Sequence, residues 1–257
     1  MKTTLLFFFL TAITFHTFAQ AQQSVDVYYA SAEAKLQIGD TLGAIEDCNK
    51  AIALNPNILE AHNGKGYVKF LQKDYAGAIV ELDKAAEFQP DYEVAYLNRG
   101  MAKEKLGNKK DALVDYAMAI EVAPDYADAF VCRANIYASL GMYKECLQDY
   151  TIAIGLSPNF KQAYLQRAWV YGQVNRYKDQ IADYNKAIKL DPTHGKLYTL
   201  RGTAKAKLNK YESSLKDFTK ALELNPSDSE AMVQKQWAQE KINTAGNPNG
   251  GLLSRNK

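Results

Sequence analysis

Two columns of opposite charge, sixteen residues apart, carry the clearest chemistry in this sequence. Arg99, Arg133, Arg167 and Arg201 are followed at that spacing by Asp115, Asp149, Asp183 and Asp217. Earlier in the chain the pair becomes Lys65 with Glu81, a shorter base with a longer acid, and Ser31 accompanies Asp47. Guanidinium and carboxylate groups form forked, bidentate contacts, so the matched columns predict a partly buried structural ion-pair ladder. A row of arginines is also a surface for an anionic ligand, and the matching acids favour the ladder over that alternative. The attraction is offset by desolvation, so a rung shows its value mainly when one partner is removed.

Nothing else in the sequence assembles into reactive chemistry. Of the three histidines, His16 lies in an apolar leader, His62 falls at a position filled elsewhere by Tyr or Phe, and His194 follows a proline in a turn. This leaves no metal-ligand cluster and no nucleophile–base pair, so no catalytic residue, metal or cofactor is expected. The glycines fall at helix ends and helix crossings rather than in a phosphate-cradling loop. Cys48 and Cys146 occupy packing positions and Cys132 stands outside them. All three read as small buried hydrophobes, and a Cys132–Cys146 bridge is the disfavoured alternative given the geometry a disulfide demands.

The elements that position the ladder are set by proline. Six of the seven prolines, Pro56, Pro90, Pro124, Pro158, Pro192 and Pro226, recur every 34 residues. Proline cannot continue a helix, so each marks the end of a repeated unit, and a period of this length points to a solenoid. Five residues before each proline stands an alanine: Ala51, Ala85, Ala119, Ala153, Ala187 or Ala221. A second small column reads Ala32, Gly66, Gly100, Ala134, Ala168 and Gly202. Large residues complement them, with Tyr28, His62, Tyr96, Phe130, Tyr164 and Tyr198 in one column. Cys48, Leu82, Tyr116, Tyr150, Tyr184 and Phe218 form another. Large against small at fixed offsets is how two helices approach closely. The residue after each proline (Asn57, Asp91, Asp125, Asn159, Thr193 or Ser227) is of a type that suits a helix N-cap. Gly39, Lys73, Gly107, Gly141, Asn175 and Asn209 end the first helix of each unit, and five of these six tolerate a left-handed C-terminus.

The fourth unit, with Ala129, Phe130, Ala134, Tyr137, Leu140, Gly141, Tyr143, Tyr150, Ala153 and Pro158, resembles the tetratricopeptide repeat family. The resemblance extends over residues 25–226, with 229–243 similar to the family's terminal capping helix. It implies an all-α fold, an α-solenoid in which antiparallel helix pairs wind into a right-handed superhelix and the first helix of each pair lines a concave groove. One row facing that groove would be Glu33, Tyr67, Met101, Asn135, Trp169, Thr203 and Trp237. A flanking row would be Tyr29, Asn63, Leu97, Val131, Leu165, Thr199 and Val233, with Phe70 beside them. Of these, Tyr29, Tyr67, Phe70, Leu97, Met101, Asn135, Leu165, Trp169 and Trp237 are the candidate contacts for a bound protein or peptide, because exposed aromatics and Met are common in binding hot spots. The lysines with which some family members hold an acidic chain terminus are missing: the corresponding positions include Tyr29, Glu33, Asn63, Gly64, Val94 and Asn98.

The chain ends suggest an address. Lys2, the apolar run from Leu5 to Leu10 and the small residues Ala19 and Ala21 read as an export signal over residues 1–21, cleaved after Ala19 or Ala21. The mature chain is therefore expected in the periplasm or outside the cell, with no membrane insertion after cleavage. The solenoid is expected over 25–243, and the Gly- and Asn-rich residues 244–257 read as a disordered tail. A formal charge of +2 argues against binding nucleic acid through its phosphates. The charge is uneven: residues 25–160 hold 13 Lys and Arg against 20 Asp and Glu, and residues 161–226 hold 13 against 6. Such asymmetry is the usual solvated surface, or else a basis for salt-sensitive self-association. The expected function is a non-enzymatic, exported scaffold binding a protein or peptide in its groove. The alternative is a structural subunit of a cell-envelope complex that assembles through its ends or outer surface.

Overall fold

The computed structural model describes residues 24–246, all-helical apart from turns, with no strand among them. Helix α1 covers residues 24–37, and α2 (Thr41–Leu54), α3 (Leu59–Leu71), α4 (Tyr75–Phe88), α5 (Glu93–Lys105) and α6 (Lys109–Val122) follow. Then come α7 (Ala127–Ser139), α8 (Tyr143–Leu156), α9 (Lys161–Gln173), α10 (Tyr177–Leu190), α11 (Gly195–Lys207), α12 (Tyr211–Leu224) and α13 (Ser229–Gly246). The fold is an all-α solenoid of paired helices. It divides into two compact units, one ending at Ala129 and the other beginning at Phe130. The export signal expected over 1–21 lies outside the described residues, as does the tail beyond Gly246. Helix α13 runs three residues past the expected end at 243, and the Thr244 hydroxyl donates to the Glu240 carbonyl as in a continuing turn.

Each pair is built on the small columns. Ala51, Ala85, Ala119, Ala153, Ala187 and Ala221 are all fully buried. The carbonyl of each also accepts the N–H of the residue that ends its helix, at 2.8–3.1 Å. The second small column meets the large one sixteen residues later. A methyl group built on Gly66 would lie 2.7 Å from Leu82, on Gly100 2.6 Å from Tyr116, and on Gly202 2.7 Å from Phe218. In the first unit Ala32, Ala44, Cys48 and Val68 make one core layer and Ala78, Leu82 and Ala102 another. In the second, Tyr164, Ala187, Ile188 and Leu197 pack together.

The turns require one correction. The residue after the proline does not cap α3, α5, α9 or α11. The caps of α3, α5, α9 and α11 are Ile58, Tyr92, Phe160 and His194, one residue further on and without a side-chain cap. Proline and its successor form the two central positions of a β-turn, closed by bonds such as Ile58 N–H to the Asn55 carbonyl at 3.2 Å. Asn, Asp, Ser and Thr suit that turn for reasons separate from capping. Side-chain caps do occur on second helices, where Asp40 accepts from Gly43 and Asp74 from Gly77, both at 2.9 Å. All six first-helix termini adopt the left-handed conformation, including Lys73 at φ +65°, where a side chain costs on the order of 1–2 kcal/mol.

The close crossing gives a direct test. Gly100→Ala gains helix propensity but drives a methyl into the buried Tyr116 ring. Ala134 and Ala168 occupy the same column, so a shifted ring can accept the methyl. We expect a net loss of about 1 kcal/mol in urea unfolding. Gly172→Ala meets only the flexible end of Gln180 and should be neutral or stabilising. Equal effects of the two substitutions would show that the crossing is not tightly packed.

Candidate functional site

The charged columns meet within each repeat. Arg99 holds Asp115 through Nε at 3.1 Å and Nη2 at 2.7 Å. Arg133 holds Asp149 at 2.8 and 2.8 Å, Arg167 holds Asp183 at 2.8 and 2.7 Å, and Arg201 holds Asp217 at 2.9 and 2.6 Å. All four carboxylates are buried, and the arginine side chains are 14–21% exposed. Lys103 adds a second cation to Asp115 and Lys205 one to Asp217, both at 2.8 Å. Lys65 reaches Glu81 at 3.0 Å, and Ser31 donates to Asp47 at 2.6 Å. Bonds from Lys35 and Ser31 hold the Asp47 carboxyl well below the usual range.

The large column has a polar function that its composition did not reveal. Tyr96, Tyr164 and Tyr198 donate to the carbonyls of Pro90, Pro158 and Pro192, six residues earlier, at 3.0–3.3 Å. His62 takes this role in the second repeat, with Nε2 3.0 Å from the Pro56 carbonyl and Nδ1 2.8 Å from Glu81. None of the three cysteines is in a disulfide. Burial pushes the Cys48 thiol up to about 11 and Cys146 up to about 12, which suits packing residues rather than nucleophiles. Among the described residues no group of three or more His, Cys, Asp or Glu is arranged to hold a metal ion. No helix among them is long and apolar enough to cross a membrane.

In the first unit, Tyr29, Glu33, Asn63, Tyr67 and Asn98 line a cavity of about 420 Å³ on α1, α3 and α5. Asn98 donates to the Asn63 side-chain oxygen at 3.0 Å, and both are buried. The Tyr29 hydroxyl donates to Glu33 at 2.8 Å. Burial, reinforced by that carboxylate, keeps the phenol protonated far above the ordinary range. Tyr67 is 36% exposed and stacks on Phe70. Phe70 itself packs on the Ala78–Leu82–Ala102 layer, Leu97 is buried, and Met101 is half-buried. Exposed apolar surface in this part of the row therefore comes chiefly from Tyr67.

In the second unit Trp169 is 46% exposed, whereas Leu165 packs against the Tyr164–Ala187 layer. Asn135 accepts a hydrogen bond from Tyr150. Trp237 sits edge-on to Tyr211 at 5.5 Å and, with Thr203, Lys207 and Val233, lines a second cavity of about 320 Å³.

Models described as tetratricopeptide repeat match residues 29–93, 94–126, 161–194 and 195–228. The chain belongs to the tetratricopeptide repeat family. Solved TPR structures share the fold at low identity. YrrB, described as a TPR protein with an unusual peptide-binding site, is 20% identical with a TM-score of 0.64, covering 75% of this chain and 100% of its own. Pseudomonas aeruginosa pilF is 15% identical with a TM-score of 0.73, covering 86% and 99%. MamA is 24% identical with a TM-score of 0.56, covering 64% and 96%. A comparison with curated protein sequences finds no match. TPR proteins are in general non-enzymatic interaction modules, and the fold supports a protein–protein interaction scaffold.

Among the described residues, Arg133 alone holds Asp149 by hydrogen bonds. Arg133→Ala should therefore leave a buried carboxylate unpaired and cost about 2–3 kcal/mol. The double substitution Arg133→Leu with Asp149→Asn should cost less than about half of that. Thermal melts of the three proteins decide the matter, and wild-type melting by both variants would reduce the ladder to a surface feature.

Proposed function

We propose that this TPR chain is a non-enzymatic scaffold that holds an extended segment of a partner protein in the groove of its first unit, outside the cytoplasm. The observation that carries the reading is the cavity on α1, α3 and α5. It combines an exposed ring at Tyr67 with a buried, hydrogen-bonded amide pair at Asn63 and Asn98. Aromatic surface supplies apolar contact, and a fixed amide pair is suited to reading a polar backbone. Glu33 and the nearby Asp26 and Glu60 add acids around the groove, which favours a basic or neutral segment. The peptide-binding site of the structurally similar YrrB fits the same class of function. Export rests on the leader-like composition of residues 1–21.

A second reading, assembly into an envelope complex through the outer surface, draws on Val80 and Val114. These lie one repeat apart on second helices of the first unit and are 56% and 60% exposed. End-to-end association driven by charge has less support. The helices at both ends are acidic, with 2 Lys against 5 Asp and Glu over residues 24–54 and 4 Lys against 6 over 211–246.

Replacing Tyr67 and Met101 together with alanine should weaken partner association at least about tenfold while leaving the melting temperature nearly unchanged. Val80→Glu with Val114→Glu should leave it intact. Co-purification of tagged chain from fractionated cells reads both, and the opposite pattern would move the interface to the outer surface. The same fractions report export: full-length protein retained in the cytoplasm would remove the extracytoplasmic part of the reading.

A further inference from the structure

The ladder arginines use more than the two nitrogens that hold aspartate. Arg99 Nη1 donates to Asp83 at 2.8 Å, Arg167 Nη1 to Thr151 at 3.0 Å, and Arg201 Nη1 to Asn185 at 2.8 Å. In each case the acceptor lies sixteen residues before the arginine. For Arg133 that sequence position is Ala117, whose side chain carries no acceptor. Nε and Nη2 of Arg133 are taken by Asp149, and Nη1 has no hydrogen-bond partner among the described residues. Every fully buried side-chain nitrogen and oxygen among them does find a partner, so this unspent edge is one that solvent reaches.

Arg133 borders a cavity of about 690 Å³ on α7, α8 and the α9–α10 turn, which also receives Lys144 and Arg176. Arg176 is preoriented: its guanidinium lies 4.6 Å from the centre of the Tyr171 ring, and it pairs with Asp179 at 2.8 Å. Asp149 is the one acid among the lining residues, and Arg133 occupies both of its oxygens. Counting Asp149 and Asp179 against the three cations leaves one positive charge uncompensated. The surrounding sequence adds to it, since residues 161–210 hold 11 Lys and Arg against 3 Asp and Glu. Ile152, 43% exposed, supplies an apolar wall. No residue proposed for the groove lines this cavity.

We propose that this cavity binds a phosphomonoester, with its phosphate between Arg133, Lys144 and Arg176 and its organic part on Ile152. Three cationic donors on separate elements match the three terminal oxygens of a phosphate better than the two of a carboxylate. The open guanidinium edge supplies a directed donor that the filled rungs lack. The same headgroup chemistry occurs on free metabolites and on phosphatidic acid, and the experiment separates these sources.

Calorimetric titration at fixed ionic strength with phenyl phosphate, benzoate and phenol should show saturable binding for the phosphate and at least about tenfold weaker binding for the other two. Thr151→Asp places in this column the residue type that Arg99 binds at Asp83, and it adds negative charge to the cavity wall. Lys144→Gln with Arg176→Gln removes two cations that water already reaches. Both variants should retain the wild-type melting temperature and lose at least about tenfold in affinity. Lys216→Gln with Lys220→Gln removes equal charge from α12, outside the cavity, and should change nothing. Sedimentation with phosphatidylcholine vesicles containing phosphatidic acid, lost in the same variants, assigns the ligand to a lipid headgroup; phenyl phosphate binding without sedimentation assigns it to a free compound. The proposal is overturned if wild type shows no saturable binding, if benzoate binds as tightly as phenyl phosphate, or if the α12 variant weakens binding as much as the cavity variants.

Discussion

The structure depends on one contact repeated along the chain: residue i of a first helix lies against residue i+16 of its partner helix. At Gly66, Gly100 and Gly202 this contact is so close that even a methyl group would collide with Leu82, Tyr116 or Phe218. The ion pairs use the same offset one residue earlier, so Arg99 meets Asp115 next to the place where Gly100 meets Tyr116. Packing and electrostatics are therefore locked to a single register. A helix displaced along its partner would lose the small–large fit and unpair a buried carboxylate together. That coupling gives the ladder a physical role beyond its net energy, because a wrong register carries the cost of an unpaired buried charge.

The rungs are alike in their inner half and different in their outer half. Each arginine commits Nε and Nη2 to an aspartate at 2.6–3.1 Å. The second-helix acids also differ in how many bases attend them: Asp115 and Asp217 each have a lysine besides the arginine. This variation is free to occur because the register is already set by the small columns. Sequence change at the outer half of a rung alters what the surface offers without altering how the helices cross.

Much of the architecture was legible in the sequence because a repeat displays each structural requirement six times. The proline spacing, the invariant alanine and the paired charges needed no coordinates. The sequence is ambiguous where one residue type serves two purposes. Asn57 and Asp91 look like helix caps but sit inside a proline turn, a one-residue shift that composition alone does not resolve. The Asn63–Asn98 bond does not show in the columns because it joins positions 35 residues apart, one repeat plus one, and so lies across columns rather than within one. The groove row was only partly readable for a related reason. Column position fixes the direction of a side chain, but its exposure depends on the size of neighbours in the adjoining repeats. Leu97 is buried and Trp169 exposed although both belong to groove-facing rows.

Binding capacity in such a fold therefore follows from the columns that the crossing leaves unconstrained. On first helices these are the groove rows, where Tyr67 and Trp169 offer ring surface that no core layer absorbs. On second helices they include the column of Asp83, Thr151 and Asn185, whose members each occupy one arginine edge. Ala117 interrupts that column with a methyl group. The interruption leaves the Arg133–Asp149 contact itself intact, so it removes nothing on which the crossing depends. An arginine that is oriented by its aspartate but not saturated is preorganised for an external anion, since the conformational cost of fixing its side chain is already met by folding. The same residue can thus hold the register of a repeat with one edge and present a donor with the other.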